Sequence, residues 1–247
     1  MKPLHRSLSG LLIAIVSVPL FISLLACLPV PIGDPEKSRI DADLSGIWLV
    51  GDDASVALIE PYDKRTWIVT LFETAIDEEV CPEEDTEEQG ENDYEILVGR
   101  IQESDGKCFE LMGPEEVYKA WRVKLGGHQF MTWEPKGGFD KDHGFGSDVW
   151  LVFRIDKVNK DEFTLSMIDQ DYDGFEDPSV AEKFAELEDQ GLPYDPRKLK
   201  AARRAAEKVI RRNAVDEELY EDELIFYRVQ PEHYDLFGMK HGLGIDW

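Results

Sequence analysis

Residues 120–125 read Ala-Trp-Arg-Val-Lys-Leu, an alternation that puts Trp121, Val123 and Leu125 on one face and Arg122 and Lys124 on the other. A period of two belongs to a strand, whose successive side chains point to opposite faces, and it argues against an amphipathic helix. Residues 162–167 repeat the pattern with Phe163, Leu165 and Met167. Segments 66–72, 94–101 and 149–155 are rich in β-branched and aromatic side chains, which suit a pleated, half-buried surface. Shorter stretches of the same kind lie at 46–50, 55–60, 108–112, 128–134 and 224–229. Gly51-Asp52-Asp53, Asp105-Gly106, Gly126-Gly127, Gly137-Gly138 and Asn159-Lys160-Asp161 punctuate them as turns. About ten short strands in a body of roughly 200 residues predict a mainly β fold, an antiparallel β-barrel or a sandwich.

Helix enters late, as an insert over about 179–213 before the last strand. Ser179-Val180-Ala181-Glu182 has the form of a capping box, in which Ser and Glu exchange side-chain bonds with each other's backbone N–H. Val180, Phe184 and Leu187 then form an apolar stripe that ends near Gly191. Asp195-Pro196 opens a second helix, with Asp as cap and Pro in the first turn. Leu199, Ala202, Ala206, Val209 and Ile210 supply its apolar side.

The N-terminus carries an address. Lys2 and Arg6 form a basic flank, residues 8–25 an uncharged hydrophobic run, and Leu24-Leu25-Ala26-Cys27 closes it. The segment resembles the lipobox of a bacterial lipoprotein. That resemblance implies a signal peptide over 1–26 and a lipidated Cys27 as first residue of the mature chain. It further implies export and a body held to the cell membrane through the lipid. The alternative is an uncleaved membrane helix, since 7–33 has no charged residue and could span about 30 Å of hydrocarbon. Pro19, Pro29 and Pro31 argue against one continuous helix. Both readings put the body outside the cytoplasm, because the basic flank stays inside. Leu28 is not the Asp associated with inner-membrane retention in enteric lipoproteins, which directs the expectation to an outer membrane, facing the periplasm. Residues 27–43 read as a tether and 44–247 as one β-rich domain. With Cys27 acylated, Cys81 and Cys108 are left as an even pair in an oxidising compartment and are expected to form a disulfide.

Charge excludes one class of partner. The chain carries −25, and loss of Lys2 and Arg6 with the signal takes the body to −27. Such a field repels nucleic acid and any anionic bilayer surface. Residues 77–95 are dominated by Asp and Glu and read as a solvated loop. The reverse holds in the second helix, where Arg197, Lys198, Lys200, Arg203, Arg204, Lys208, Arg211 and Arg212 face only Asp195 and Glu207. Two readings apply. One is a solvated face that offsets the acidic body; the other is a basic amphipathic helix aimed at phosphate head groups or an acidic partner.

Strands, then helix, then one closing strand, together with Gly46-Ile47-Trp48 on the first strand, resemble a lipocalin. In that family the Trp of Gly-x-Trp packs near the closed end of the barrel against an Arg from a late strand. The resemblance makes Arg228 the candidate partner of Trp48. The family's Thr-Asp-Tyr element is missing.

Two constellations carry possible chemistry. Asp169-Gln170-Asp171-Tyr172-Asp173-Gly174, with Asp177 at the ninth position, resembles the front half of an EF-hand calcium loop. Position twelve is Val180, so the bidentate Glu is replaced. The expectation is a Ca2+ site of Asp169, Asp171, Asp173 and Asp177, or else a solvated turn. Glu134 with Asp140 is one of several acidic pairs open to glycosidase chemistry. His128, His143, His233 and His241 lack metal-ligand spacing. There is no nucleophile elbow, phosphate loop or dinucleotide fingerprint, and no catalytic residue is assigned. The sequence thus points to a lipid-anchored envelope protein that binds a small apolar ligand or a protein partner. Trp121, Trp133, Trp150, Phe153 and Phe163 are expected inside the barrel, as core or pocket lining. The competing class is an envelope hydrolase with paired carboxylates, with or without calcium.

Overall fold

The structure is a computed structural model that describes residues 27–51, 55–76, 98–99, 101–104, 109–136, 150–190 and 193–235. The chain opens on a two-residue strand, β1 (Cys27–Leu28), and continues with β2 (Gly46–Val50), β3 (Ser55–Pro61) and β4 (Trp67–Ile76). Next come β5 (Phe109–Leu125), β6 (His128–Pro135), β7 (Trp150–Val158) and β8 (Glu162–Ile168). Helices α1 (Pro178–Glu188) and α2 (Pro196–Asn213) separate β8 from the last strand, β9 (Tyr220–Arg228). From β2 to β9 each strand pairs antiparallel with the next, and β9 returns to β2 through Trp48↔Arg228 and Val50↔Phe226. The result is a closed, eight-stranded, up-and-down barrel, which leaves no open sheet edge around its circumference.

The period of two decides what fills it. Alternate residues of all eight strands form one buried cluster, including Trp48, Ala57, Trp67, Tyr118, Met131, Phe153, Phe163 and Phe226. An eight-stranded barrel has an interior that side chains can just fill, and aromatic groups fill this one. Phe163 stacks on Phe226 with ring centres 4.3 Å apart, and Trp133 lies 4.9 Å from Phe153. The expectation that Trp133, Phe153 and Phe163 point inward holds, and they pack there against other core rings. The same expectation for Trp121 and Trp150 is corrected. Ala120 is the inward neighbour on β5 and Leu151 on β7, so Trp121 and Trp150 stand on the outer surface. Both are nevertheless buried, because other parts of the chain cover them.

Two outer faces are covered. On one, Leu28, Val30 and Ile32 pack with Phe130, Val152 and the apolar sides of both helices, including Leu187, Ala202, Ala206 and Ile210. On the other, Val98 and Ile101 join Ile47, Leu49, Val56, Leu58 and Phe109. Residues 98–99 and 101–103 are helical, which corrects the strand expected over 94–101. Val98 and Ile101 stand three apart and share one helical face, and the covered patch takes that face. The start of α1 is corrected too. Its cap is Asp177, which accepts from the Ser179 N–H at 2.8 Å, with Pro178 in the first turn. An Asp-Pro pair therefore opens both helices, since Asp195 accepts from Arg197 N–H in the same way at α2.

Residues 28–43, within the stretch read above as a tether, form a strap along the barrel. β7 pairs with β8 only from Phe153 onward, and β1 fills the vacant edge at Trp150 and Leu151. Further on, β5 outruns its partner β4 beyond Ala120, and the Ser38 hydroxyl accepts the Arg122 N–H at 2.9 Å. Where the two strands leave backbone groups unpaired, the strap supplies partners, as buried polar groups require.

Candidate functional site

Ile32 and Gly33 pin the strap. The Ile32 carbonyl accepts from the Trp121 indole and the Thr132 hydroxyl, each at 2.8 Å. The Gly33 N–H donates to Glu207 at 3.1 Å, and its carbonyl accepts from Arg203 at 2.7 Å. Gly33 has φ +79°, and a Cβ there would lie 2.7 Å from Val123 Cβ. Only glycine meets both conditions without strain.

The clamp leaves a cleft of about 460 Å3 between the strap, the hairpin end of β5 and β6, and α2. The strap contributes Lys37 and Arg39, β5 contributes Arg122 and Lys124, and α2 contributes Lys200, Arg203 and Arg204. Asp34 and Glu207 are the acidic members of the lining. Arg122 is held by Asp41 at 2.7 Å, and this hydrogen bond keeps the Asp41 carboxyl below its ordinary pKa. Burial pushes Asp34 up, but Lys37, the Glu36 N–H and the Arg203 charge together bring it below the usual carboxylate value. Lys124, Lys200, Arg204 and Arg39 are exposed and make no ion pair among the described residues. Val123, Leu125, Ser38 and Gln129 complete the walls.

A second cleft, about 710 Å3, lies on the other flank of α2 against α1. Its cations Lys183, Lys208, Arg212 and Arg204, the last shared with the first cleft, face Asp173 and Asp177, so its charges are mixed. The Asp177 carboxyl sits below its ordinary pKa through its bonds to Ser179, with Lys208 and Arg212 adding to the effect.

That second cleft contains part of the Asp-rich turn. Asp169 accepts from Asp171 N–H at 2.8 Å, Asp173 opens a short 3-10 turn, and Asp177 caps α1. Of the four carboxylates, those of Asp169 and Asp177 are thus taken up by backbone N–H groups, and the short turn that Asp173 begins has no side-chain cap. Among the described residues no group of three or more His, Cys, Asp or Glu stands together as a metal set. Burial pushes the Glu134 carboxyl above its ordinary pKa, against the attraction of Lys119 across the strand pair. Its suggested partner Asp140 lies outside the described residues, as do His143, His241, Cys81 and Cys108. Of Cys27 only the backbone is described.

The α2 cations were visible in the sequence, but their neighbours were not. Lys37 with Arg39 and Arg122 with Lys124 are basic residues in two unconnected stretches. Their common signal is that each departs from the acidic norm of the chain, and the strap is what brings them together. Compared with known protein families, characterised proteins and solved structures, the chain matches none.

Proposed function

We propose that this chain is a lipid-anchored protein of the bacterial envelope that works by binding, with its working surface on the outside of the barrel. The observation that carries the reading is the seating of the strap. β1 opens on Cys27, the residue that the lipobox would make residue one, and Leu28, Val30 and Ile32 are buried from there on. A lipid on Cys27 would therefore be joined to the barrel wall without a slack linker, holding the body against the membrane surface. The packed interior favours a partner outside the barrel, an envelope protein or a ligand in a surface cleft. Two acyl chains secure membrane attachment where a single one is marginal. The reading also pairs Cys81 with Cys108. Ile76, five residues before Cys81, pairs with Phe109, the residue after Cys108, and this register supports the pairing.

The test is Cys27→Ser in the native host. It abolishes incorporation of labelled fatty acid and leaves an unprocessed precursor. A variant that still takes up label and matures normally overturns the anchor.

A further inference from the structure

We propose that the cleft between the strap, β5 and α2 is a binding site for a phosphate ester of a small polyol. In a chain of net charge −25, seven basic side chains converge here from three elements, against Asp34 and Glu207. Against the net negative charge of the chain, this cleft is a local positive focus, which favours an anion.

Stability does not explain the cluster. Among the described residues the α2 cations form no ion pair with a carboxylate outside their own helix; Arg203 reaches Glu207, four residues on. The helix packs on the barrel through its apolar face, and of its charged groups Arg203 and Glu207 bond the strap at Gly33. Lys124, Lys200 and Arg204 repel one another across the opening, and a bound anion removes that cost.

The arrangement is built for phosphate. Arg122 and Arg203 are half-buried and fixed by Asp41 and the Gly33 carbonyl, so their remaining N–H groups are already oriented. Guanidinium forks match phosphate oxygens in pairs, and ammonium groups at Lys124 and Lys200 add charge without a directional demand. Donors on three sides suit a tetrahedral anion better than a flat carboxylate. The volume exceeds what a bare phosphate needs. Ser38, whose oxygen already accepts from Arg122, keeps its O–H for a ligand hydroxyl, and Gln129 adds an amide.

A polyol phosphate exists free and as a phospholipid head group, and both are compatible with the same donors. Gly33 is six positions after Cys27, at most about 20 Å of extended chain, so an anchored body keeps the cleft within reach of the head-group layer.

The test uses the full chain in neutral detergent, as wild type and as Cys27→Ser, so that the result does not depend on lipidation. Calorimetric titration with glycerol 3-phosphate probes the free ligand. Native mass spectrometry with micelles containing phosphatidylglycerol or phosphatidylcholine probes the lipid. Binding of glycerol 3-phosphate that weakens at least tenfold in Lys124→Gln/Lys200→Gln/Arg204→Gln assigns a soluble ester. Selective retention of phosphatidylglycerol, lost in the same variant, assigns the head group. Arg197→Gln/Lys198→Gln, on the same helix outside the cleft, leaves binding within about twofold. Either ligand bound equally well by the triple variant, or neither bound by wild type, overturns the proposal. All three substituted residues are exposed, and an unchanged melting temperature confirms that the variant folds.

Discussion

The Arg228 guanidinium lies 4.1 Å from the centre of the Trp48 ring, directly across the β2–β9 register from it. The pair forms where the barrel closes. Arg228 donates to the Ser45 carbonyl at 2.9 Å and also to the carbonyls of Asp43 and Lys160, while the Trp48 indole donates to Leu44 O at 3.1 Å. It is the arrangement that the lipocalin resemblance implies for Gly-x-Trp. The glycine has a reason: Gly46 has φ +146°, and a Cβ there would sit 2.5 Å from Arg228 Nη1. Gly46→Ala is expected to cost about 1–3 kcal/mol from backbone strain alone, with the clash in addition. In Gly46→Ala/Arg228→Ala the clash is gone, so the double variant loses less than the sum of the single ones. Urea denaturation of the four proteins measures this, and strict additivity would refute the steric argument.

The strap makes a parallel prediction at Gly33. Gly33→Ala meets Val123 and an unfavourable φ together, and about 1–3 kcal/mol is expected for the backbone part. Val123→Gly, which removes the contacted Cβ, relieves the steric share, so Gly33→Ala/Val123→Gly loses less than the sum of the single variants and leaves the φ share. Limited proteolysis reads the outcome locally: cleavage within 28–39 should rise in Gly33→Ala before the barrel melts.

Glu134 gives a pH dependence with a definite sign. Its folded-state pKa is raised, first by burial, so the native state holds the proton more tightly than the unfolded chain. The resulting stability is fully present below the unfolded pKa and is lost as pH rises through the folded value. At pH 7 the buried charge is a burden, only partly relieved by Lys119. Glu134→Gln is expected to raise the melting temperature at pH 7 and to change it little at pH 4. A lowered melting temperature at pH 7 would show that the Lys119 attraction outweighs burial.

The Asp-rich turn is expected to be indifferent to calcium. Asp177 is committed to the α1 cap and Asp169 to Asp171 N–H. Thermal melts with millimolar calcium and with chelator should coincide. A site occupied at a hundredfold excess over Kd would instead stabilise the wild type by about 2.7 kcal/mol, and Asp171→Ala/Asp173→Ala would abolish that shift.

Periodicity made the strands legible, since 120–125 and 162–167 alternate as their positions in β5 and β8 require. It could not say which face is inside. Trp121, Val123 and Leu125 make the more apolar face of their stretch, yet that face is the outer one, because the strap and α2 cover it. Alternation carries no sign when both faces of a wall are buried. The strap was hidden for a related reason. Residues 28–33 are short, proline-rich and without a period, so local sequence describes a linker, while their partners at Trp121, Thr132 and Arg203 lie far along the chain. The cleft shares this dependence. Its cations were each readable, but their convergence is a property of the closed barrel.

The strap also sets an order of events during folding. Gly33 and Glu207 are 174 residues apart, and Ile32 and Trp121 are 89 apart, so the strap is fully held only once the last third of the chain is in place. Long-range closures of this kind slow the search for the native state. Until β1 docks, β7 shows an unpaired edge at Trp150 and Leu151, a template for pairing with another chain. Made N-terminus first, such a chain holds its first segment free until its last third arrives. The segment that shields the β7 edge is itself secured by residues at the far end of the body.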